Sequence, residues 1–328
     1  MKSSQSDSRP STIPCLSLAD ENSAEFDEKL GHSLSTFGFV AFRDHGLTEG
    51  LRRGALEQVA QFFERSVEQK MRCHVPGGAG ARGYTPFFVE VAKDHITPDL
   101  KEFFHVGRGQ VRGQAPTVRQ QATLAALPAN VWPSDLPSFS ASLLALYSAL
   151  EELGLRILAA IARWLGLSHD FFVDKTDVGN SILRALHYPP LPAQPDGAVR
   201  AAAHEDINLI TLLVGAEQPG LEVLSRSGQW IPAPLGEELI ICNVGDMLER
   251  LTNHVLPSTT HRVVNPPRPW SERSRYSLPF FLHPNSDFLI QSLPQCVSAD
   301  NPDRYPVPIL ADDFLRQRLV EIGLISRD

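Results

Sequence analysis

Residues 138–165 carry the clearest hydrophobic pattern in the sequence, which is a single apolar stripe. Leucine, isoleucine and tryptophan side chains recur there at steps of three and four residues, from Leu143 to Trp164. This period predicts one long amphipathic helix with its apolar face packed against a sheet. We expect Ser138 to cap the start of this helix and Gly166 to end it.

The residues before this helix alternate between short apolar runs and amphipathic stretches. Aromatic and β-branched runs indicate strands, helical spacing indicates helices, and segments rich in Gly, Pro or Gln indicate loops. The predicted elements are a strand at residues 13–18, a helix at 25–34, a strand at 37–42, a helix at 51–70, and loops at 77–83 and 107–128.

After residue 177 the pattern changes to short β-rich runs that are separated by Pro, Gly, Ser or Asn. Many short strands at this spacing are typical of a sandwich, a jelly roll or a barrel. A closing helix is predicted at residues 312–322. The predicted strands lie at residues 181–187, 208–214, 221–224, 239–243, 261–264 and 276–282.

Composition excludes several classes of protein. The chain has 328 residues, of which 42% are hydrophobic and 21% charged, so it is long and apolar enough to bury a core. Its net charge of −8 argues against a dedicated nucleic-acid-binding protein. No run is apolar enough to span a membrane, and the polar residues 1–14 lack a secretory signal.

The four cysteines lie far apart in the sequence and form no CxxC pair. This spacing argues against a disulfide scaffold or a cysteine-rich zinc site, and it favours a reducing, cytoplasmic location. The cysteines are Cys15, Cys73, Cys242 and Cys296.

Candidate chemistry begins with His204 and Asp206, which are followed 55 residues after Asp206 by His261. Residues two apart in a strand share a face, so His204 and Asp206 are expected to point together. A distant imidazole completes a set of two histidines and one carboxylate. Such a set leaves coordination positions open and suits ferrous oxygen chemistry.

A second pair of polar residues, Arg275 and Ser277, begins another β-rich run. On one face of a strand they offer a guanidinium and a hydroxyl to a carboxylate. Tyr188, which precedes two prolines, adds a further hydroxyl. Each residue alone has an ordinary structural explanation, but the ordered series in a β-rich half favours a metal site.

The sequence resembles the isopenicillin N synthase-like, 2-oxoglutarate- and Fe(II)-dependent dioxygenases over nearly its whole length. The N-terminal half matches more loosely, through "FGFVAFRDHGL" (37–47), "FFERSVEQK" (62–70) and "RGYTP" (82–86). The strongest motifs are "LRALHYPP" (183–190), "HEDINLITLL" (204–213), "GLEVL" (220–224), "NVGDMLERLTN" (243–253), "PSTTHRVVNP" (257–266) and "RYSLPFFLHP" (275–284).

This resemblance implies a mainly β fold, a double-stranded β-helix (jelly-roll) core with flanking helices. It implies that His204, Asp206 and His261 bind Fe(II), and that Arg275 and Ser277, helped by Tyr188, bind the distal carboxylate of the cosubstrate 2-oxoglutarate. The implied reaction is hydroxylation, desaturation or cyclisation of a small-molecule metabolite by dioxygen, with release of succinate and CO2. One departure is Leu186, which stands where many plant members carry an asparagine.

The resemblance also implies three regions that form one integrated unit. They are an N-terminal region at residues 1–175, a jelly-roll core at 176–290 and a helical tail at 291–328. Three alternative functions stay open: an Fe(II) oxidase that needs no cosubstrate, a non-catalytic jelly-roll binding protein, and a zinc hydrolase. The last is disfavoured because no HExxH motif is present.

Other polar residues are assigned structural roles. We expect His45 to make a structural hydrogen bond, His187 to pack on the face opposite Tyr188, and His254 to be solvated in a loop. Asp246 is expected to cap a turn or helix. Substrate specificity is expected from loops and from strand-facing side chains, with Leu213 and Phe281 placed either in the pocket or in the core.

Overall fold

Two β-sheets form the centre of the molecule. The structure is a computed structural model, and it describes residues 12–78, 80–87, 89, 100–110, 115–191, 199–214 and 218–321. The strands in this part are β1 (Cys15–Ser17), β2 (Phe39–Arg43), β3 (Gly83–Thr85), β4 (Glu102–Gly107), β5 (Ile182–Tyr188), β6 (Ala201–His204), β7 (Ile210–Val214), β8 (Leu221–Leu224), β9 (Trp230–Pro232), β10 (Ile240–Val244), β11 (His261–Val263), β12 (Arg275–Ser277), β13 (Pro279–Leu282), β14 (Leu289–Ile290) and β15 (Ile309–Leu310).

The larger sheet has the strand order β1-β2-β10-β7-β13-β5-β4-β3, and β12 also pairs with β5. The smaller sheet has the order β6-β11-β8-β9, while β14 and β15 form a separate two-stranded pair. An apolar cluster joins the facing sides of the two main sheets through Phe39, Ala41 and Ile241 on one and Val223 on the other. The predicted jelly-roll core is confirmed, and the larger sheet draws strands from both sides of residue 175.

Helices pack outside this core. The helices of the described residues are α1 (Ala24–Phe37), α2 (Glu49–Phe63), α3 (Val67–Met71), α4 (Val118–Ala126), α5 (Pro137–Trp164), α6 (Asp246–Leu251) and α7 (Ala311–Glu321). None of them is long and apolar enough to cross a membrane.

Helix α5 lies against the outer face of the larger sheet, as its apolar stripe predicts. The Tyr147 ring meets the Phe280 ring edge-on, with 5.0 Å between their centroids. The predicted cap at Ser138 is wrong, because α5 already begins at Pro137 and its N-cap residue makes no side-chain hydrogen bond. Proline suits the first helical turn, since its fixed φ is already helical. Gly166 follows the helix with φ 72°, and the predicted end is confirmed.

Two other sequence predictions are corrected by local capping. The predicted helix at 51–70 is two helices, because Ser66 and Gln69 form a capping box that starts α3 after a break. The predicted loop at 107–128 contains helix α4, which starts at a second capping box formed by Thr117 and Gln120. Residues 111–114 of that loop and Ala79 of the glycine-rich loop lie outside the described residues, as does residue 322 of the closing helix.

Candidate metal centre

Two histidines and one aspartate, which come from two separate segments of the sequence, converge at one point between the two sheets. One ligand atom from each of His204, Asp206 and His261 lies within 4.8 Å of the others. His261 Nε2 and Asp206 Oδ2 are 3.9 Å apart, and the two imidazole centroids are 4.4 Å apart. His261 and Asp206 are buried, and His204 is partly buried. Within the described residues this is the one cluster of its kind.

Strand pairing explains why the two histidines meet. His204 ends β6 and pairs directly with His261, which begins β11. The expectation that Asp206 shares a strand with His204 is wrong, because β6 stops at His204. Instead Asp206 lies in the connection that follows, where its carbonyl accepts the Asp246 backbone N–H over 2.7 Å. A side chain at Gly245 would clash with this connection, since its Cβ would lie 2.2 Å from the Asn208 carbonyl oxygen.

Hydrogen bonds fix which nitrogen of each imidazole faces the centre. Nδ1 of His204 lies 2.8 Å from the Ala202 carbonyl oxygen, and Nδ1 of His261 lies 3.1 Å from that of Thr259. Because a carbonyl only accepts, each Nδ1 donates, and each neutral ring keeps its lone pair on Nε2. Burial and the neighbouring His261 lower the pKa of His204 to about 4, which keeps this ring neutral near pH 7.

Two neutral side chains hold the carboxylate of Asp206. Its Oδ2 accepts hydrogen bonds from Thr211 Oγ1 over 2.6 Å and from Asn243 Nδ2 over 2.8 Å. Burial raises the pKa of Asp206, but the two histidines and these hydrogen bonds outweigh it, so the pKa lies below its ordinary value. The carboxylate is therefore ionised and oriented, as a metal ligand needs to be.

Arg275, Ser277 and Tyr188 come together on two neighbouring strands of the larger sheet. In the register of β12 and β5, Arg275 pairs with Tyr188 and Ser277 pairs with Leu186. All four side chains are buried. The guanidinium carbon of Arg275 lies 5.3 Å from the centroid of the Tyr188 ring. Arg275 Nε and Nη1 have no hydrogen-bond partner among the described residues, so donors are available for an acceptor.

Further along the same face of β5 lies Arg184, because alternate residues of a strand share a face. Its Nε donates to Nε2 of His105 over 2.6 Å. Its guanidinium carbon lies 4.5 Å from the ring centroid of Phe103 and 5.3 Å from that of Phe281. Phe281 pairs with Thr211, the partner of the Asp206 carboxylate, so these groups border the metal cluster.

The opposite face of β5 carries a buried polar network. His187 faces away from Tyr188 as expected, but it does more than pack: Nδ1 lies 2.7 Å from Glu102 Oε1, and Nε2 lies 3.0 Å from Ser274 Oγ. Glu102 also accepts from Lys70 Nζ over 2.7 Å and from the Tyr84 hydroxyl over 2.5 Å. This network joins the N-terminal helices to the residue that precedes Arg275.

Of the remaining predictions for polar residues, the structure supports the one for His45 and corrects those for His254 and Asp246. His45 makes structural hydrogen bonds to Leu47 N and the Glu238 carbonyl, as expected. His254 is not simply solvated, because it contacts the Tyr305 hydroxyl and lies 3.3 Å from the carboxylate of Glu249. The predicted cap at Asp246 is wrong, because Asp246 is the first residue of α6 and Gly245 is the N-cap of that helix.

Several residues of the site carried too little signal in the sequence. Asn243 and Thr211 lie within motifs that the sequence shares with relatives, but their contact with Asp206 depends on strand register. In the sequence, Arg184, Lys70 and Glu102 resemble ordinary surface charges, and only the folded structure shows that they lie in or beside the interior. A charged residue within an otherwise apolar strand is the one available hint.

The donor set fits ferrous iron. Two imidazoles and one carboxylate with a common focus match the facial arrangement of non-haem Fe(II) oxygenases. Buried, unpaired donors on Arg275 fit a carboxylate, because a guanidinium in the interior needs an acceptor.

Comparison with known proteins gives two family matches on this chain. A sequence model of the 2OG-Fe(II) oxygenase superfamily matches residues 179–284. A model described as non-haem dioxygenase in morphine synthesis, N-terminal, matches residues 13–135. Together they cover the site strands and most of the N-terminal half.

Individual relatives agree with these matches. The chain is 31% identical to the 2-oxoglutarate-Fe(II) type oxidoreductase hxnY of Emericella nidulans, over 89% of this chain and 83% of that protein. A crystal structure of a 2OG-Fe(II) oxygenase family protein from Caulobacter crescentus is 46% identical, with TM-score 0.86, over 96% of this chain and all of that one. A full-length Neurospora crassa protein, crystallised in complex with alpha-KG, is 29% identical, with TM-score 0.80, over 94% and 96% of the two chains.

Proposed function

Because this chain belongs to the 2-oxoglutarate-Fe(II) oxygenase superfamily and is a dioxygenase of that class, we propose roles for six of its side chains. The iron ligands are His204, Asp206 and His261. The cosubstrate carboxylate is bound by Arg275 and Ser277, with Tyr188 beside them. Alternatives without 2-oxoglutarate, without catalysis or with zinc hydrolysis are not favoured by the relatives, which are oxidoreductases of the 2-oxoglutarate type.

A single observation supports the iron assignment most strongly. The ligand atoms of His204, Asp206 and His261 lie within 4.8 Å of one another, both imidazoles are oriented by hydrogen bonds from Nδ1, and the carboxylate is oriented by hydrogen bonds to Oδ2. Such supporting partners fix the tautomer and direction of metal ligands. A chance cluster is not expected to bring three ligand groups this close and also to orient each of them by hydrogen bonds.

When bound, Fe(II) and 2-oxoglutarate would provide the chemistry by which dioxygen oxidises a substrate and 2-oxoglutarate is converted to succinate and CO2. The protein contributes ligand geometry, a buried setting and substrate placement. His204 and His261 present Nε2, and Asp206 presents an ionised carboxylate that Thr211 and Asn243 keep in place. The oxidation is a hydroxylation, a desaturation or a cyclisation.

Arg275 and Ser277 orient the cosubstrate. The guanidinium offers Nε and Nη1, which lack partners in the described part of the chain, and Ser277 offers its hydroxyl from the same face of β12. Two donors in a fixed relation bind a carboxylate with defined geometry. Leu186 lies opposite Ser277, so the wall of the cosubstrate pocket is apolar at the position where many plant members of the family carry an asparagine amide.

We assign the primary substrate to the class of small molecules. The strand face beside the metal cluster presents Arg184 between the aromatic rings of Phe103 and Phe281. Aromatic rings beside the metal cluster favour a compact organic substrate. A panel of small organic molecules, assayed for stimulated succinate release, tests this assignment, and stimulation only by a protein or a nucleic acid would refute it.

The proposed ligand set is tested by anaerobic titration with Fe(II), followed by calorimetry. The intact protein should bind one ferrous ion, and Asp206→Ala should bind none with measurable affinity. Glu205→Ala is the matched control, because Glu205 is an exposed neighbouring carboxylate that accepts from Thr260 Oγ1 instead. Retained stoichiometric binding by Asp206→Ala would refute the assignment. Succinate and CO2 formed in equal amounts check the reaction itself.

A cytoplasmic location is part of the proposal. All four cysteines are free thiols in the structure, and three of them are buried. Free buried thiols are typical of proteins from reducing compartments. Fractionation of cells that produce the tagged protein tests the location.

A further inference from the structure

Two buried arginines lie close to the ring of Tyr188. Arg275 comes from β12, and Arg200 immediately precedes β6. Their guanidinium carbons lie 5.3 Å and 5.9 Å from the ring centroid. Arg200 is 0% exposed and Arg275 is 3% exposed, so neither charge is solvated by bulk water.

Neither arginine has an acidic partner among the described residues. Arg200 donates from Nη1 to Gln218 Oε1 over 3.0 Å and from Nη2 to the Arg273 carbonyl over 3.3 Å, and both acceptors are neutral. Its Nε, like Nε of Arg275, has no partner in the described part of the chain. Burial and repulsion by Arg275 lower the pKa of Arg200 to about 10, so it is still a cation near pH 7. Two like charges buried together are costly unless an anion binds between or beside them.

Arg200 also supports the strand that carries Arg275. Gln218, which accepts from Arg200, donates its Nε2 to the Ser274 carbonyl over 3.1 Å. Arg200 itself donates to the carbonyl of Arg273. The two residues before Arg275 are therefore both anchored to the Arg200 side chain or its partner.

We propose that Arg200 is a positioning residue that adds a second positive charge to the cosubstrate-carboxylate pocket and so selects 2-oxo acids with a distal anionic group. This inference rests on the proposed function, in which Arg275 binds that group. Arg200 acts through its charge and through its hydrogen bonds to Gln218 and the Arg273 carbonyl. Both guanidinium carbons lie within 5.9 Å of the same ring centroid, and charges held in the interior are screened little by solvent.

The test compares two probes, 2-oxoglutarate and 2-oxovalerate, which differ in the distal carboxylate. Their dissociation constants are measured by calorimetry on the anaerobic Fe(II)-loaded protein, so no turnover is needed. Arg200→Met should raise the dissociation constant of 2-oxoglutarate by roughly tenfold or more, while that of 2-oxovalerate should change by less than about twofold. Arg200→Lys, which keeps the charge but not the fork geometry, should retain most of the preference.

A merely structural role for Arg200 gives a different result. If Arg200 only anchored the strand of Arg275, Arg200→Lys would weaken 2-oxoglutarate binding as much as Arg200→Met does, because neither variant keeps the two hydrogen bonds of the fork. Equal losses in the two variants would therefore overturn the proposal, and so would an unchanged affinity in Arg200→Met. If Arg200→Met does not fold, Arg200→Gln serves instead, because its amide can still donate a hydrogen bond while the positive charge is lost. That variant should lower the preference for 2-oxoglutarate, and an unchanged ratio of the two constants counts against the proposal.

Arg275→Ala separates this inference from the proposed function. If Arg275→Ala leaves the affinity for 2-oxoglutarate unchanged, the assignment of the pocket itself is wrong. If Arg275→Ala weakens it and Arg200→Met does not, the pocket assignment stands and the role of Arg200 is refuted.

Discussion

Asn243 and Asp206 are joined by a hydrogen bond of 2.8 Å from Nδ2 to Oδ2, although they lie 37 residues apart. Asn243 lies on β10 and pairs with Thr211 on β7, so both residues reach the same carboxylate from adjacent strands. The larger sheet therefore holds the acidic ligand, while the smaller sheet supplies the two imidazoles. The proposed metal centre joins the two layers of the jelly roll.

Asn243→Ala should lower the affinity for Fe(II) by about 10–100-fold, the usual cost of losing a partner of a metal ligand. The carboxylate loses one of its two orienting donors but stays in place. Anaerobic titration measures the change, and thermal unfolding of the metal-free protein shows whether the fold survives. An affinity equal to that of the intact protein would show that Thr211 alone orients Asp206.

Asp206→Ala should abolish both iron binding and turnover, because no other carboxylate in the described residues joins the cluster. The measurement is succinate formed per minute with saturating Fe(II) and 2-oxoglutarate. Asp206→Glu provides a second comparison: the longer side chain displaces the carboxylate, and we expect activity to fall by at least about 100-fold. Full activity in the glutamate variant would contradict the geometric argument.

Glu102→Gln should destabilise the protein by about 3 kcal/mol near pH 7, because it leaves the buried Lys70 ammonium without its counter-ion. Urea unfolding measures the free energy of unfolding. Glu57→Gln is the matched control, since Glu57 is an exposed carboxylate on α2 whose nearest ion-pair partner is 3.7 Å away. The control should change stability by less than about 0.5 kcal/mol.

The same glutamate predicts a pH dependence. Burial raises the pKa of Glu102, but hydrogen bonds from His187, Lys70 and Tyr84 outweigh it and bring the pKa below its ordinary value. A lowered native pKa stabilises the fold above the unfolded-state pKa of about 4.3, and this stabilisation is lost as the pH falls through the native value. The stability difference between wild type and Glu102→Gln should therefore shrink below about pH 4. A difference that stays constant as the pH falls further would show that Glu102 is not the titrating group.

The sequence was sufficient for most of the strand-rich half, because strands leave a local pattern, and it indicated the three candidate ligands through their order along the chain and the family motifs around them. His204, Asp206 and His261 stand out by residue type and order, and β-rich runs between turn residues locate most of the second-half strands. The strand placement of Asp206 failed, since β6 ends at His204 and the connection after it is shaped by Gly245.

Residues that depend on register between distant strands could not be predicted. Arg200 and Glu102 are charged, and charged side chains are normally exposed. Only the pairing of β4 with β5 places Glu102 opposite His187, and only the tertiary fold brings Arg200 to Tyr188. Short helices were missed for another reason: the capping boxes at Ser66 and Thr117 lie in segments that otherwise resemble the interior of a helix or a loop.

Close contact between α1 and the end of α5 supports a last prediction. A Cβ added at Gly31 would lie 2.1 Å from Cε2 of the Trp164 indole, so the two helices touch where glycine leaves room. Gly31→Ala gains about 1 kcal/mol of helix propensity but overpacks a buried contact at a cost of about 1–3 kcal/mol, and we expect a net loss of up to about 2 kcal/mol. Gly54→Ala on α2 is the matched control, because nothing lies within 4 Å of its added Cβ, and it should raise stability by about 0.5–1 kcal/mol. Urea unfolding of both variants decides the point: equal stabilisation would mean that the Trp164 ring moves away without cost.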